Sequence, residues 1–508
     1  MIRCDALIIG GGLSARRCAE ILSEKYNTLL ISDGQGASPY IHGVCIPLAE
    51  EDSVETFTLD TLTSGKGQCD KTLVRTLCEG ALSLAEEFDF DKREDGSYAL
   101  LRPLGASVPR VASIREHTGA YVMANIETKK RFEERRLRAV RLIVRDGRAL
   151  GAICYDRQTD TFVTIHSRVI CLATGGFGGI FPFSTNTSDI GGDGIAMAYL
   201  AGVTLRDMEF IQYEPTAALS PAPLRGKSVI TTMLYEGATF RNGSGEEFLF
   251  EKQVDKDILS KAITHEILHG IPTANGGVFY DATGVNQRII FEKYKTYYNR
   301  YLNVGVDITR EMMEVAPAPH TTLGGIVINE KCQTTIEGLF AMGEVTGGLH
   351  GANRLGGNAG LETLVFGKIA GMSADAFLQR DTQALPEIDE VRVENRPFMA
   401  EEYHTKIRHL ASEALGVLRN GETLSHAREI LKSILSSLSL EIQRDGAFSY
   451  DALRAYNDGL TILLAVESAL ARVSDVGSHT REDACIETEK YTIYQSISYG
   501  LKKEILYE

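Results

Sequence analysis

The 508-residue sequence lacks the marks of several large protein classes. Its nine cysteines (4, 18, 45, 69, 78, 154, 171, 332 and 485) stand singly, with no CxxC, no CxxCH and no ferredoxin-like spacing. That pattern reads as reduced cytosolic thiols and leaves no recognisable haem or iron–sulfur centre within this chain. Cations are not in surplus either: 53 Lys and Arg stand against 68 Asp and Glu, a formal charge of −15, which opposes nucleic-acid binding. A negative total still leaves room for a small basic pocket. No apolar run reaches the roughly 20 residues that cross a bilayer. The most apolar helical stretch, Leu460 to Val473, is interrupted by Glu467 and Arg472. The first apolar run, Ala6 to Ile9, is too short for a signal-peptide core. A cytoplasmic location without a membrane span is therefore expected, and no metal site is. The length fits about two to four domains with a sizeable core.

What is present begins at once. Asp5-Ala6-Leu7-Ile8-Ile9 reads as a buried parallel strand, followed by Gly10-Gly11-Gly12-Leu13-Ser14-Ala15 and a helical pattern through Cys18, Ala19, Ile21 and Leu22. A strand-to-helix turn that receives a pyrophosphate needs Gly10 for its tight backbone and Gly12 for close approach. It also needs a small residue at Ala15 for helix-to-strand packing. The second strand, Thr28 to Ile31, ends at Ser32-Asp33, where a ribose-binding acid normally falls. The Ser32 backbone or hydroxyl is the expected contact, with Asp33 pointing outward. After a hairpin turning at Asp146-Gly147 comes Val169-Ile170-Cys171-Leu172-Ala173-Thr174-Gly175-Gly176. A second apolar strand ending in ATGG is the return strand of two-dinucleotide-binding flavoproteins, which favours FAD over NAD.

Further segments resemble the succinate dehydrogenase, fumarate reductase and L-aspartate oxidase flavoprotein family over nearly the whole chain. In family order they are Asp60-Thr61-Leu62 with Gly65-Lys66-Gly67, ATGGFG at 173–178, Gly192 to Ala198, and Met208-Glu209-Phe210-Ile211-Gln212. Tyr235-Glu236-Gly237-Ala238, His320-Thr321-Thr322-Leu323-Gly324-Gly325 and His350-Gly351-Ala352-Asn353-Arg354-Leu355-Gly356-Gly357-Asn358 follow, the last leading to Glu362 to Gly367. The resemblance implies an α/β architecture: a Rossmann-like two-dinucleotide-binding FAD domain (1–212 and 319–382), an inserted α+β capping domain (213–318) and a helical C-terminal domain (383–508). Leu424, Ala427, Ile430, Leu431, Ile434, Leu435 and Leu438 independently mark one amphipathic helix in that last region. The late signature, Ser468 to Arg472 and Gly477 to Asp483, is expected to pack against the FAD domain.

Residue-wise carry-over implies FAD contacts at Gly10, Gly12, Ser14, Ala15, Ser32, Gly43, Thr174, Gly175, Gly176, Asp193, Glu344 and the backbone from Asn358 to Leu361. Membrane-complex members join FAD covalently to a histidine near the Ser38 segment. Here about Ala37 aligns with it, and His42 replaces a family glutamine, so non-covalent FAD is expected, with a displaced linkage to His42 as the alternative.

The family's chemistry moves hydride between flavin N5 and a C–C or C–N bond beside a carboxylate, while a side chain moves the proton. By resemblance, Arg354 clamps a substrate carboxylate at two points and His320 donates a hydrogen bond to it. Four departures follow. Glu214 stands in Glu209-Phe210-Ile211-Gln212-Tyr213-Glu214-Pro215-Thr216 where the family carries a histidine, and an anion there repels a second carboxylate. Lys256, in Asp255-Lys256-Asp257-Ile258-Leu259-Ser260-Lys261-Ala262-Ile263, replaces the proton-carrying arginine. A lysine yields a proton more readily than an arginine in a desolvated site, the competing reading being a solvated surface charge. Pro103 replaces a glutamate of the L-aspartate oxidase pattern, and Leu234 replaces an arginine before the cap.

The expected activity is therefore FAD-dependent redox of a small carboxylate-bearing substrate, with specificity shifted away from dicarboxylates. L-aspartate oxidase and soluble fumarate reductase are the narrower alternatives. An inert or electron-transfer flavoprotein subunit, working with an iron–sulfur or other redox partner, is the alternative of another class. Cap hinges are expected near 216–226 and 314–320, although those stretches carry Pro221, Pro223, Pro317 and Pro319 rather than many glycines.

Overall fold

The structure, a computed structural model, describes residues 1–506 except 116, 250–254, 383, 445–446 and 486–489. The expected start of the helical domain at 383 and its end at 508 lie outside the described residues. The first strand, Ile2–Ile9, is flanked in parallel by Thr28–Ile31 and by Thr161–Leu172. Glu133–Arg135 extends the sheet on one side, and the antiparallel strands Arg148–Asp156 and Arg138–Arg145 extend it on the other. Leu339–Ala341 adds in parallel to the end of Thr161–Leu172. The hairpin turn falls at Asp146 and Gly147, both in the left-handed region (φ 51° and 75°), as a two-residue turn of right-handed twist requires.

Register positions the site. Ile9 pairs with Ile31 and with Leu172, and Leu172 pairs with Ala341, so the carboxyl ends of four parallel strands are level. The residues that follow them converge outside the sheet edge, where open α/β sheets bind ligands. Helix Leu13–Leu22 leaves this edge and packs under Asn358–Arg380.

The inserted segment has a sheet and a core of its own. Strands Ile211–Ala218, Met313–Thr322, Val278–Asp281, Thr239–Arg241 and Glu247–Leu249 are adjacent in that order. A separate apolar cluster gathers side chains from Ala218 to Val315 around Phe240, Tyr280 and Ile263. Of the stretches expected to be hinges, 216–218 and 314–320 lie in strands. Ile211–Ala218 and Met313–Thr322 form a paired antiparallel ribbon between the sheet and the inserted unit, and ladder hydrogen bonds run through 214–218 and 315–319. A paired ribbon free of glycine resists the local bending that a loop allows.

Behind the FAD domain lie helices Glu401–Ala414, Gly421–Ile442 and Tyr450–Ala471. The second is capped by Asn420, whose side chain accepts from Thr423 N, and it buries Leu424, Ala427, Leu431, Ile434, Leu435 and Leu438. The third is buried on nearly every face, because it packs against both other helices and against Asp193–Leu200. Its apolar stretch is thus the centre of a bundle, and among the described residues no helix is long and apolar enough to cross a membrane. The C-terminal region is not helical throughout. Arg392–Glu394 joins the main sheet, and the hairpin Tyr491–Ser496 with Gly500–Ile505 pairs with Leu205–Arg206.

Candidate functional site

A cavity of about 550 Å³ opens at the level strand ends. Gly10, Gly12, Ser14, Ser32, Gly43, Thr174, Gly175, Asp193 and Glu344 line it. Ala15, Gly176, Asn358 and Leu361, expected among the cofactor contacts, lie outside the lining. Ala15 and Leu361 are core, and Asn358 Nδ2 donates to Thr61 Oγ1 at 3.1 Å. The glycine loop is cut to fit. A Cβ on Gly10 would lie 2.1 Å from Ala173 O, and one on Gly12 would lie 2.9 Å from Ser38 Oγ. Gly12 offers helix Leu13–Leu22 no side-chain cap; Leu13 N donates to Ser38 Oγ at 2.8 Å, and a helix N-terminus of this kind at the cavity suits an anion.

Further polar groups fit a dinucleotide of this kind. Thr174 Oγ1 is buried with no protein partner. Glu344 accepts from Thr322 N at 2.9 Å, and burial pushes its carboxyl up to about 7. Asp193 is also buried, but Arg138 (Nε at 2.9 Å) and Asn457 (Nδ2 at 3.0 Å) hold it below the usual carboxylate range. Asp33 does not point outward. Its side chain is one-tenth exposed, lines the cavity, and lies 3.0 Å from Arg157, 3.5 Å from Arg136 and 3.6 Å from Arg138. Three arginines draw it in: Arg138 opens the strand Arg138–Arg145, Arg136 lies two residues before it, and Arg157 follows the end of Arg148–Asp156. Ser32 spends its hydroxyl within its own turn, accepting from Gly34 N at 3.1 Å. Ala37 and His42 both line the cavity, with the His42 ring 5.9 Å from that of Tyr297 in the inserted unit.

Arg354, His320, Lys256 and Glu214, from four separate segments, line the same cavity. Strand pairing sets two of them side by side: Glu214 faces Ala318, two residues before His320. Gln212, on the same strand as Glu214, donates to Asn353 Oδ1 and Arg354 O, both at 2.9 Å, and so ties the arginine loop to the ribbon. Arg354 is buried, and its Nε has no partner. Burial lowers its pKa from the ordinary arginine value, while Glu214 and Glu344 oppose that shift. A desolvated guanidinium with an unmet donor is prepared for an incoming carboxylate.

His320 Nδ1 lies 2.8 Å from Thr185 Oγ1. Burial, then the cations of Lys256 and Arg354, push its pKa well below 6.5, so the ring is neutral. Lys256 opens helix Lys256–His269 and is not a solvated surface charge: its Nζ lies 2.5 Å from Glu214 Oε2, with side chains 17% and 3% exposed. The two departures at 214 and 256 therefore form one ion pair inside the cavity. Thr216 Oγ1 lies 3.2 Å from the other Glu214 oxygen. On the outer side, Lys66 Nζ contacts Asp255 Oδ2 at 2.5 Å and holds the helix start. Pro103 sits over Gly356, where an added Cβ would approach it to 3.1 Å, and Leu234 is core of the inserted unit.

Sequence reasoning missed Thr185, the Arg138 partner of Asp193, and the arginines around Asp33. Only the run of short polar residues Ser184 to Ser188 before Asp189 marked the first. The late signature packs as expected. Arg472 Nε contacts Glu209 Oε1 at 2.5 Å, and its Nη2 lies 3.3 Å from Asp207 Oδ1.

A glycine-cradled crevice at level parallel strand ends, with an inserted unit carrying cationic and imidazole groups over it, defines a FAD-dependent oxidoreductase. Comparison with known proteins makes this particular. The family described as FAD binding domain matches residues 5–359. A fumarate reductase (CoM/CoB) subunit of Methanothermobacter marburgensis is 34% identical, with 95% of each chain covered. L-aspartate oxidase of Pseudomonas aeruginosa is 31% identical, with 94% of each covered. A solved E. coli quinol fumarate reductase chain superposes with a TM-score of 0.87 at 23% identity, covering 99% of this chain and 96% of that one, and supports the fold. The chain belongs to the succinate dehydrogenase, fumarate reductase and L-aspartate oxidase flavoprotein family.

Proposed function

We propose that this oxidoreductase interconverts the saturated and unsaturated forms of a small carboxylate-bearing substrate, with specificity shifted from C4 dicarboxylates. The convergence of Arg354, His320, Lys256 and Glu214 in the cavity that cradles the cofactor carries this reading. Bound FAD, held non-covalently, supplies the hydride chemistry. Arg354, whose Nε is unmet, grips one substrate carboxylate and orients the substrate. His320 is neutral and donates a hydrogen bond to the same group; this role requires the tautomer with hydrogen on Nε2, in which Nδ1 accepts from the Thr185 hydroxyl 2.8 Å away. Lys256 Nζ gives or takes the proton, and Glu214 orients it and balances its charge.

Because Glu214 and Lys256 neutralise each other, the place of the family's second histidine offers no net positive charge to a second carboxylate. That supports a shifted specificity. The methanogen relative is named as one part of a fumarate reductase, which supports the reductive direction and a partner protein, iron–sulfur or other, as electron donor. The nine cysteines, none in a disulfide, support a reducing cytoplasmic setting.

Anaerobic flavin bleaching by saturated acids and amino acids, and reoxidation of the reduced enzyme by unsaturated acids, tests this. Acid precipitation of the holoenzyme is expected to release all FAD. Lys256→Ala is expected to cut turnover about 10²–10⁴-fold with FAD retained. A flavin silent to every acid would instead favour the electron-transfer role.

A further inference from the structure

Three more cations line the cavity, all from the inserted unit: Arg225, Lys227 and Arg300. None has a carboxylate partner among the described residues. Arg225 lies over the Phe183 ring (4.8 Å), Lys227 over Tyr40 (5.2 Å) and Arg300 over Tyr297 (5.1 Å), and Arg300 Nη1 donates to Ser228 O at 2.9 Å. Phe183 and Tyr40 belong to the FAD domain, so the first two cations hang across the seam at the cavity mouth. In a chain of charge −15, three cations left without acidic neighbours beside one cavity form a local positive field.

The ribbon strand gives their distance from the chemistry. Ala218 N donates to Lys227 O at 2.9 Å, while Glu214, the partner of Lys256, lies on the same strand. Four residues of strand put the two ends about 13 Å apart along the backbone. A backbone span of that size favours an acid longer than a four-carbon diacid for contact with both ends. We propose that Arg225, Lys227 and Arg300 form a second anion subsite that takes the distal carboxylate, phosphate or sulfonate of an elongated substrate whose first carboxylate lies at Arg354. This rests on the carboxylate clamp proposed above and names the substrate class: an unsaturated acid, or its saturated form, with a second anionic group several bonds from the reacting carbons.

The test uses FAD-loaded enzyme, titrated with butyrate and with α,ω-diacids of four to ten carbons while the flavin spectrum is followed. Affinity is expected to rise about tenfold or more between the four-carbon diacid and the best longer one, the gain of a charge-assisted contact. In Arg225→Ala/Lys227→Ala that gain is expected to vanish while butyrate affinity stays within about twofold of the parent. Lys227→Glu, which keeps a long side chain at the mouth, is expected to invert the preference and favour butyrate. Three outcomes overturn the subsite alone: no dependence on length, an equal loss for all acids, which makes the cations a clasp of the inserted unit, or a loss of bound FAD, which assigns them to the cofactor diphosphate. If no acid perturbs the flavin and Arg354→Ala changes nothing, the clamp itself fails and the subsite falls with it.

Discussion

At the scale of single residues, two side chains of opposite charge in the cavity balance each other. Lysine at 256 and glutamate at 214 each look like damage when taken alone, yet they meet at 2.5 Å and compensate. Glu214→Gln is expected to strand the Lys256 charge, lowering stability by about 2 kcal/mol in a thermal melt. With the proposed role of Lys256 as proton carrier, it should slow turnover less than Lys256→Ala does. Glu344 provides a pH signature. Burial raises its carboxyl from 4.5 to about 7, so the native state holds a proton that the unfolded chain loses between those values. FAD-depleted protein is therefore most stabilised by this group at the acid end and loses that contribution as pH rises through about 7. Differential scanning from pH 5 to 8 is expected to show the decline, and Glu344→Gln is expected to flatten it.

At the scale of elements, the strand-to-helix turn is the part most legible in the sequence. Its constraints are local: φ 134° at Gly10 and a built Cβ 2.1 Å from Ala173 O permit only glycine. Gly10→Ala is expected to yield protein with little bound FAD, measured as flavin per chain after gel filtration. The amphipathic helix at 421–442 was equally legible, since its buried positions recur at helical spacing. The ribbon was less so. The resemblance suggested hinges despite the prolines there, but pairing between 211–218 and 313–322 joins stretches about a hundred residues apart, which no local pattern records.

The whole molecule is held by buried charge between its late and early parts. Arg472 at the end of the bundle's central helix meets Asp207 and Glu209 just ahead of the ribbon, with its guanidinium 4.7 Å from the Phe210 ring. Arg472→Ala would leave the buried Glu209 without its cation, while Asp207 keeps Arg206 at 3.1 Å, and is expected to cost about 3–5 kcal/mol in denaturant unfolding. The same helix reaches the cofactor pocket: Asn457 holds Asp193, and Thr461 Oγ1 donates to Gly192 O at 3.0 Å. Loss of the bundle is thus expected to release FAD as well as destabilise the sheet.

The sequence by itself determined the glycine turn and with it the dinucleotide cofactor, while Arg354, His320, Lys256 and Glu214 were singled out through the family resemblance. The turn is legible because its glycines are required by local backbone geometry and by the close approach of a ligand, whereas Lys256 and Glu214 stand out as departures from their motifs. Tertiary structure alone decided who neutralises whom: Glu214 with Lys256, Asp33 with three arginines, and three cations of the inserted unit with no acid among the described residues. Electrostatic energy depends on separation in space and on burial, and neither is written in the spacing of residues along the chain.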